Sequence, residues 1–198
     1  MTESGFLQLK EVILNKLHDE LDPKLTYHSV AHTKDVLQQA ERIAISERIS
    51  DCRLVLLIKI ASLFHDTGFL FTYKGHEEKS CEIMLEYLDA SLFHPTEILA
   101  MKNMILATRV PQSASTLPEM IICDADLDYL GRYDFEAISS RLRNEFLLYA
   151  ITNEKEWDQA QIQFIENHRY LTDTSIKGRT LLKKEHLEKL KLKLIHQP

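Results

Sequence analysis

Ser62-Leu63-Phe64-His65-Asp66-Thr67-Gly68 is the stretch on which the reading of this chain turns. An apolar run from Leu54 to Phe64, interrupted by Lys59, delivers an adjacent histidine and aspartate and stops at a glycine. A segment apolar nearly all round predicts a buried central helix. A neutral imidazole beside a carboxylate makes a borderline-to-hard metal site. Two ligands do not hold a catalytic metal, so more must come from elsewhere. Upstream lies Tyr27-His28-Ser29-Val30-Ala31-His32-Thr33, and downstream Cys123-Asp124-Ala125-Asp126-Leu127. Alone, a His-Asp pair reads as a helix end with a surface ion pair. The two flanking segments make a metal site the better reading.

Outward from that stretch the chain reads as helices. Phe6, Leu9, Ile13 and Leu17 recur at three and four residues, which places them on one face of a helix ending at Asp22-Pro23. Ser29 is the expected N-cap of a helix running to about Ile49, and Ser50 or Asp51 of the central one. After an aromatic loop, 69–75, a helix over 76–89 turns Cys81, Met84, Leu85 and Leu88 inward. Pro95 opens another to Arg109, with Ile98, Leu99, Met101 and Ile105 inward. Further helices are expected over 119–130, 135–150, 154–171 and 178–195, the last strongly basic. No segment shows convincing period-two alternation. The expectation is one all-α domain over 1–198, a bundle of about eight helices, with its core motifs within 27–131.

Composition sets the outer bounds. The chain has 198 residues, long enough for one domain with a real core. It is 44% hydrophobic and 27% charged, as soluble globular proteins are. A net charge of -6 offers no global basic field to nucleic acid or to an anionic membrane. The polar, acidic start Met1-Thr2-Glu3-Ser4-Gly5 does not read as a signal peptide. Cys52, Cys81 and Cys123 form no CxxC and sit in apolar segments, which reads as small reduced core residues in a cytoplasmic protein.

The order His, His-Asp, Asp in the quoted segments resembles the HD superfamily of metal-dependent phosphohydrolases, in its soluble single-domain branch. The resemblance implies His32, His65, Asp66 and Asp126 as metal ligands. Pattern alone does not choose among Asp124, Asp126 and Asp128: on one helix, residues two apart point about 200° from each other. The resemblance selects Asp126, from its Ala-Asp-Leu triplet, and leaves Asp124 to orient a neighbour. It also implies His28 as the proton donor to the leaving oxygen. Two imidazoles and up to two carboxylates suit a divalent Mn, Fe, Co, Ni or Mg better than a structural zinc. Such a metal polarises a phosphoryl oxygen and activates water. Many HD proteins continue His-Asp-Xaa-Gly-Lys, and here Phe69 stands in place of the lysine. Gly75-His76-Glu77-Glu78-Lys79-Ser80 resembles the HExxS element, giving His76 a place at substrate phosphate or a second metal and Glu77 a water to orient. Thr108 and Arg109, in Ile105-Leu106-Ala107-Thr108-Arg109, resemble the pocket-lining IxxT ending. Segments around Leu142-Phe146, Trp157 and Phe164-Thr172 extend the resemblance over about 27–172.

The function implied is hydrolysis of a phosphomonoester or phosphodiester, of a nucleotide or related metabolite, by metal-activated water. The expected partner is therefore a small phosphate ester or nucleotide, with no nucleic acid and no membrane; a homo-oligomer is left open. Two alternatives stand beside it. A catalytically weak HD module would bind a nucleotide and signal, but it has no need of a proton donor such as His28. A di-iron oxygenase needs two irons, and His94 is the only further histidine between His76 and Asp126.

Overall fold

The computed structural model describes residues 1–195. Among them are nine α-helices and no strand: α1 (Glu3–Glu20), α2 (Val30–Ser46), α3 (Cys52–Phe64), α4 (His76–Tyr87), α5 (Pro95–Ala107), α6 (Leu117–Asp126), α7 (Phe135–Leu148), α8 (Glu154–Asn167) and α9 (Asp173–Ile195). Short 3-10 turns cover Thr67–Leu70, Ala90–Leu92 and Asp128–Gly131. The all-α expectation holds.

α3 is the axis of the bundle. Asp51 caps it by accepting from the Arg53 and Leu54 amides, as expected for one of the two candidates. From Leu56 to Phe64 every residue is buried, against α1, α2, α4, α5 and α6. Ile58, Ile60, Leu63 and Phe64 are wholly enclosed, each contributing about 1.5–3 kcal/mol of burial. Lys59, buried like its neighbours, is the one charged residue of the run. Its ammonium reaches Glu3 at 2.7 Å and lies over the Phe6 ring, which ties α1 to α3. A second apolar cluster, around Tyr27, Leu127, Tyr129, Phe135, Ile165 and Tyr170, joins α7–α9 to the segments that carry the candidate ligands.

Close approach at Gly68 decides what faces the end of α3. A Cβ there would lie 1.9 Å from the His76 carbonyl oxygen, so only glycine lets the start of α4 sit against the His65-Asp66 turn. The Gly68 amide also donates to Ser80 Oγ at 2.8 Å. Gly131 plays the same part for α9, where a Cβ would meet the Arg179 carbonyl at 2.3 Å.

Several local expectations are corrected. Leu85 and Leu99 are exposed, because α4 and α5 bury narrower faces than their apolar content implies. Cys52 is exposed at the first turn of α3, whereas Cys81 and Cys123 are buried. Gly178 lies inside α9, which starts from Asp173. The helix expected over 119–130 breaks after Asp126, and a 3-10 turn follows. No helix among the described residues is long and apolar enough to cross a membrane.

Candidate metal centre

Three helix ends converge on one point. Ser29 N-caps α2, its hydroxyl accepting from the His32 amide, which sets His32 in the first turn. His65 is the C-cap residue of α3, and Asp66 follows it into the 3-10 turn. Asp126 is the last residue of α6. His32, His65 and Asp66 each bring one donor atom within 4.8 Å of the others. His32 Nε2 lies 3.4 Å from His65 Nε2, and Asp66 Oδ2 lies 3.3 and 3.2 Å from these two nitrogens. Asp126 Oδ1 joins them at 3.1 Å from His32 Nε2 and 3.6 Å from His65 Nε2.

The chemistry of this group fits a cation. Asp66 Oδ2 is buried and, among the described residues, has no hydrogen-bond partner. His65 Nδ1 donates to the Ser62 carbonyl at 2.9 Å, which directs the lone pair of Nε2 into the cluster. Burial pushes the His32 imidazole down, but Asp126 and Asp66 outweigh it and raise it to about 9. His65 is raised for the same reason: burial lowers it, and Asp66 and Asp126 more than reverse this. Burial raises Asp66 and Asp126, yet the two histidines hold Asp66 well below the usual carboxylate range and Asp126 at about 2. Protons on the two raised imidazoles offset the two carboxylates when no ion is bound, and a divalent ion held by the same four side chains would take their place.

Around the cluster stands a wall of rings. His28 precedes the α2 cap, 6.0 Å from the His32 ring. It stacks on Phe69 at 4.1 Å, and Phe69 stacks in turn on His76 at 3.9 Å. The residue standing where a lysine was expected is therefore a shared aromatic wall for two histidines. His76 Nδ1 donates to the Tyr73 carbonyl at 3.0 Å. That leaves Nε2 3.6 Å from both Asp66 Oδ1 and Glu77 Oε1. Glu77 is buried, with Arg109 Nε 3.7 Å from its other oxygen. Arg109 also pairs with Glu78, so its charge is shared by two carboxylates. Thr108 is the buried C-cap of α5, and its hydroxyl donates to the Ile105 carbonyl at 2.7 Å rather than outward.

Comparison with family models and with curated proteins finds no match. Among solved structures, the chain is similar to a crystal structure described as a predicted HD superfamily hydrolase from an uncultured Thermotogales bacterium. The identity is 20%, with 93% of this chain and 91% of that one covered, at a TM-score of 0.60. The chain has the HD-domain fold.

Within this HD fold, sequence reasoning missed the residue that holds His28. Glu145 of α7 is fully buried and accepts from the amides of Tyr27 (2.9 Å) and His28 (3.0 Å), from the Tyr73 hydroxyl (2.9 Å), and from His28 Nδ1. Burial pushes its carboxyl up, but His28 and the two amides more than offset this, and it stays ionised. Nothing in the run Leu142-Phe146 marks Glu145 locally; its partners lie 72 to 118 positions earlier in the chain. The two neighbouring aspartates turn elsewhere. Asp124 accepts from the Leu171 and Thr172 amides and the Thr172 hydroxyl at 2.6–2.9 Å. Asp128 is enclosed by Arg42 at 2.8 Å and Arg179 at 2.9 Å.

Proposed function

We propose that this HD-fold protein is a metal-dependent phosphohydrolase acting on a small phosphate ester. The observation that carries the reading is the convergence of His32, His65, Asp66 and Asp126, with one Asp66 oxygen facing both imidazoles, set beside a histidine held by a buried carboxylate. The fold similarity to a predicted HD superfamily hydrolase supports the same class.

A divalent ion held by His32, His65, Asp66 and Asp126 supplies Lewis-acid polarisation of the phosphoryl group and of water. The chain's own residues do the rest. Glu145 binds Nδ1 of His28, which leaves Nε2 for the substrate. Glu145 fixes the orientation of the His28 ring through Nδ1, and His28 held in this way is the proton donor to the departing oxygen. The Phe69 ring fixes the plane of that imidazole and excludes water from one side. His76, its hydrogen on Nδ1 and directed at Tyr73, presents an accepting Nε2 beside Asp66 and Glu77, a pair of acceptors suited to orienting an attacking water. Arg109, at the rim, is placed for a phosphate oxygen only if Glu77 or Glu78 releases it.

The test is release of nitrophenol from generic phosphate esters by purified protein supplied with Mn, Co, Ni or Mg, followed by a nucleotide and sugar-phosphate panel. Metal-dependent turnover that His65→Ala abolishes is the expected result. Tight metal binding with no turnover of any ester would sink the reading in favour of a binding module.

A further inference from the structure

Among the described residues, four donors meet the Glu145 carboxylate. Its Oε2 accepts the amides of Tyr27 and His28 at 2.9 and 3.0 Å, and its Oε1 accepts His28 Nδ1. The fourth is the Tyr73 hydroxyl, 2.9 Å from Oε1. Each oxygen of an ionised carboxylate offers about two acceptor sites, so these donors fill it. Three of them belong to the segment that opens α2. Tyr73 brings in the loop that leads to α4. Burial, then Glu145, push its phenol up, so the hydroxyl keeps its proton and stays a donor.

The same residue reaches a second histidine. Its carbonyl accepts from His76 Nδ1 at 3.0 Å, and a carbonyl only accepts, so the ring hydrogen belongs on that nitrogen. Gly75, at a φ of 74°, makes the turn that brings the Tyr73 carbonyl to the first residue of α4. The rings of His28 and His76 lie 6.2 Å apart, and Phe69 stacks on both. The Tyr73 ring meets Phe69 edge-on at 5.0 Å. Stacking sets the plane of an imidazole but tolerates a half-turn of the ring, which exchanges Nδ1 with a carbon. The bonds at Nδ1 distinguish the two orientations. For His28 that bond runs to Glu145, beside the Tyr73 hydroxyl; for His76 it runs to the Tyr73 backbone. Neither bond involves a candidate metal ligand.

We infer that Tyr73 is a positioning residue that sets His28 and His76 relative to each other, the first through its hydroxyl and Glu145, the second through its carbonyl. The consequence for turnover rests on the phosphohydrolase reading; the placement of the two rings does not.

Tyr73→Phe removes the hydroxyl and keeps the ring and the carbonyl. Tyr149→Phe is the control: its ring lies 4.8 Å from that of Tyr73, but its hydroxyl donates to Asp22 at 3.0 Å. The first readout is long-range proton–nitrogen NMR of the histidine rings in the whole, metal-free protein. Y73F should shift the nitrogen signals of both His28 and His76, and Y149F should shift neither. The second is ester hydrolysis with metal supplied. Y73F should lower kcat for phenyl phosphate, whose phenol leaves poorly, by about 10–100-fold at little-changed KM and metal content, and lose much less with nitrophenyl phosphate. His28 signals that move while those of His76 stay would make Tyr73 a local support of Glu145 and overturn the coupling. Unmoved signals at both rings, wild-type turnover of phenyl phosphate by Y73F, or a loss shared equally by both esters or by Y149F would overturn it too. A wild-type protein that hydrolyses neither ester would remove the hydrolase reading, and the NMR shifts would then decide the placement by themselves.

Discussion

Asp124, Asp126 and Asp128 alternate along one short segment, yet each carboxylate meets different partners. Asp126 faces His32 and His65, Asp124 the backbone of Leu171 and Thr172, and Asp128 three arginines. The consequence is separable. Asp126→Ala should lose metal and activity together, read by elemental analysis and ester hydrolysis. Asp124→Ala should keep most of its metal but destabilise the fold by about 2–3 kcal/mol, since it orphans buried donors that a charged acceptor had satisfied; denaturant titration measures it. Metal lost with Asp124 and kept without Asp126 would reverse the assignment. His28 calls for a different experiment. His28→Ala should lower turnover about 10²–10⁴-fold at constant metal content, with a smaller loss for nitrophenyl esters, whose leaving group needs little protonation. If the variant emerges without metal, His28 is a ligand instead. At this scale the sequence was informative where chemistry is rare. His-Asp after an apolar run, with a histidine upstream, has few structural uses. Pattern was silent on which aspartate meets the histidines, because that depends on where α6 breaks into a 3-10 turn, a tertiary outcome at Leu127.

Helices bring such residues together only when their ends are fixed. α7 contributes no metal donor, yet its Glu145 gathers the Tyr27 and His28 amides, the His28 ring and the Tyr73 hydroxyl. A carboxylate whose partners lie 72 to 118 positions away leaves no local signal, which is why the residue that holds His28 was not legible. Glu145→Gln keeps the shape and removes the carboxylate that accepts from His28 Nδ1. It should cut turnover of poor-leaving-group esters by about 10²-fold and leave metal content intact; a loss confined to melting temperature would make Glu145 a purely structural anchor. Caps at the other end of the bundle respond to acid. Glu97 closes the α5 capping box and meets Arg53 at 2.7 Å, and that hydrogen-bonded guanidinium holds its carboxyl at about 2 instead of 4.5. A depressed folded-state value stabilises above the ordinary one and fades as pH falls through the lower. The melting-temperature gap between wild type and Glu97→Gln should therefore be full at pH 5 and shrink toward pH 2. A gap unchanged over that range would mean the pair contributes nothing through its charge.

In the whole molecule, metal and fold should be coupled without depending on each other. The candidate ligands come from α2, α6 and the end of α3, so a bound ion would clamp three helices. The main apolar cluster runs through α1–α6 with α3 as its axis, and its largest side chains, Phe6, Phe64, Ile58 and Met101 among them, are buried without help from the centre. That places the chain apart from small metal-folded domains, where binding energy is folding energy. An ion present at a hundred times its Kd stabilises the native state by about 2.7 kcal/mol. For a chain of this size, 1 kcal/mol moves the melting temperature by about 2–4 °C, so removing the ion should lower it by about 5–11 °C. Chelation should abolish ester hydrolysis, depress melting by that amount and leave the far-ultraviolet circular dichroism helical at 25 °C. Readdition of metal should restore both activity and melting temperature, since the bundle that aims the four side chains never disassembles. A chelated protein with a random-coil spectrum would show instead that the centre holds the bundle together, and that the α3 core is too small to stand alone.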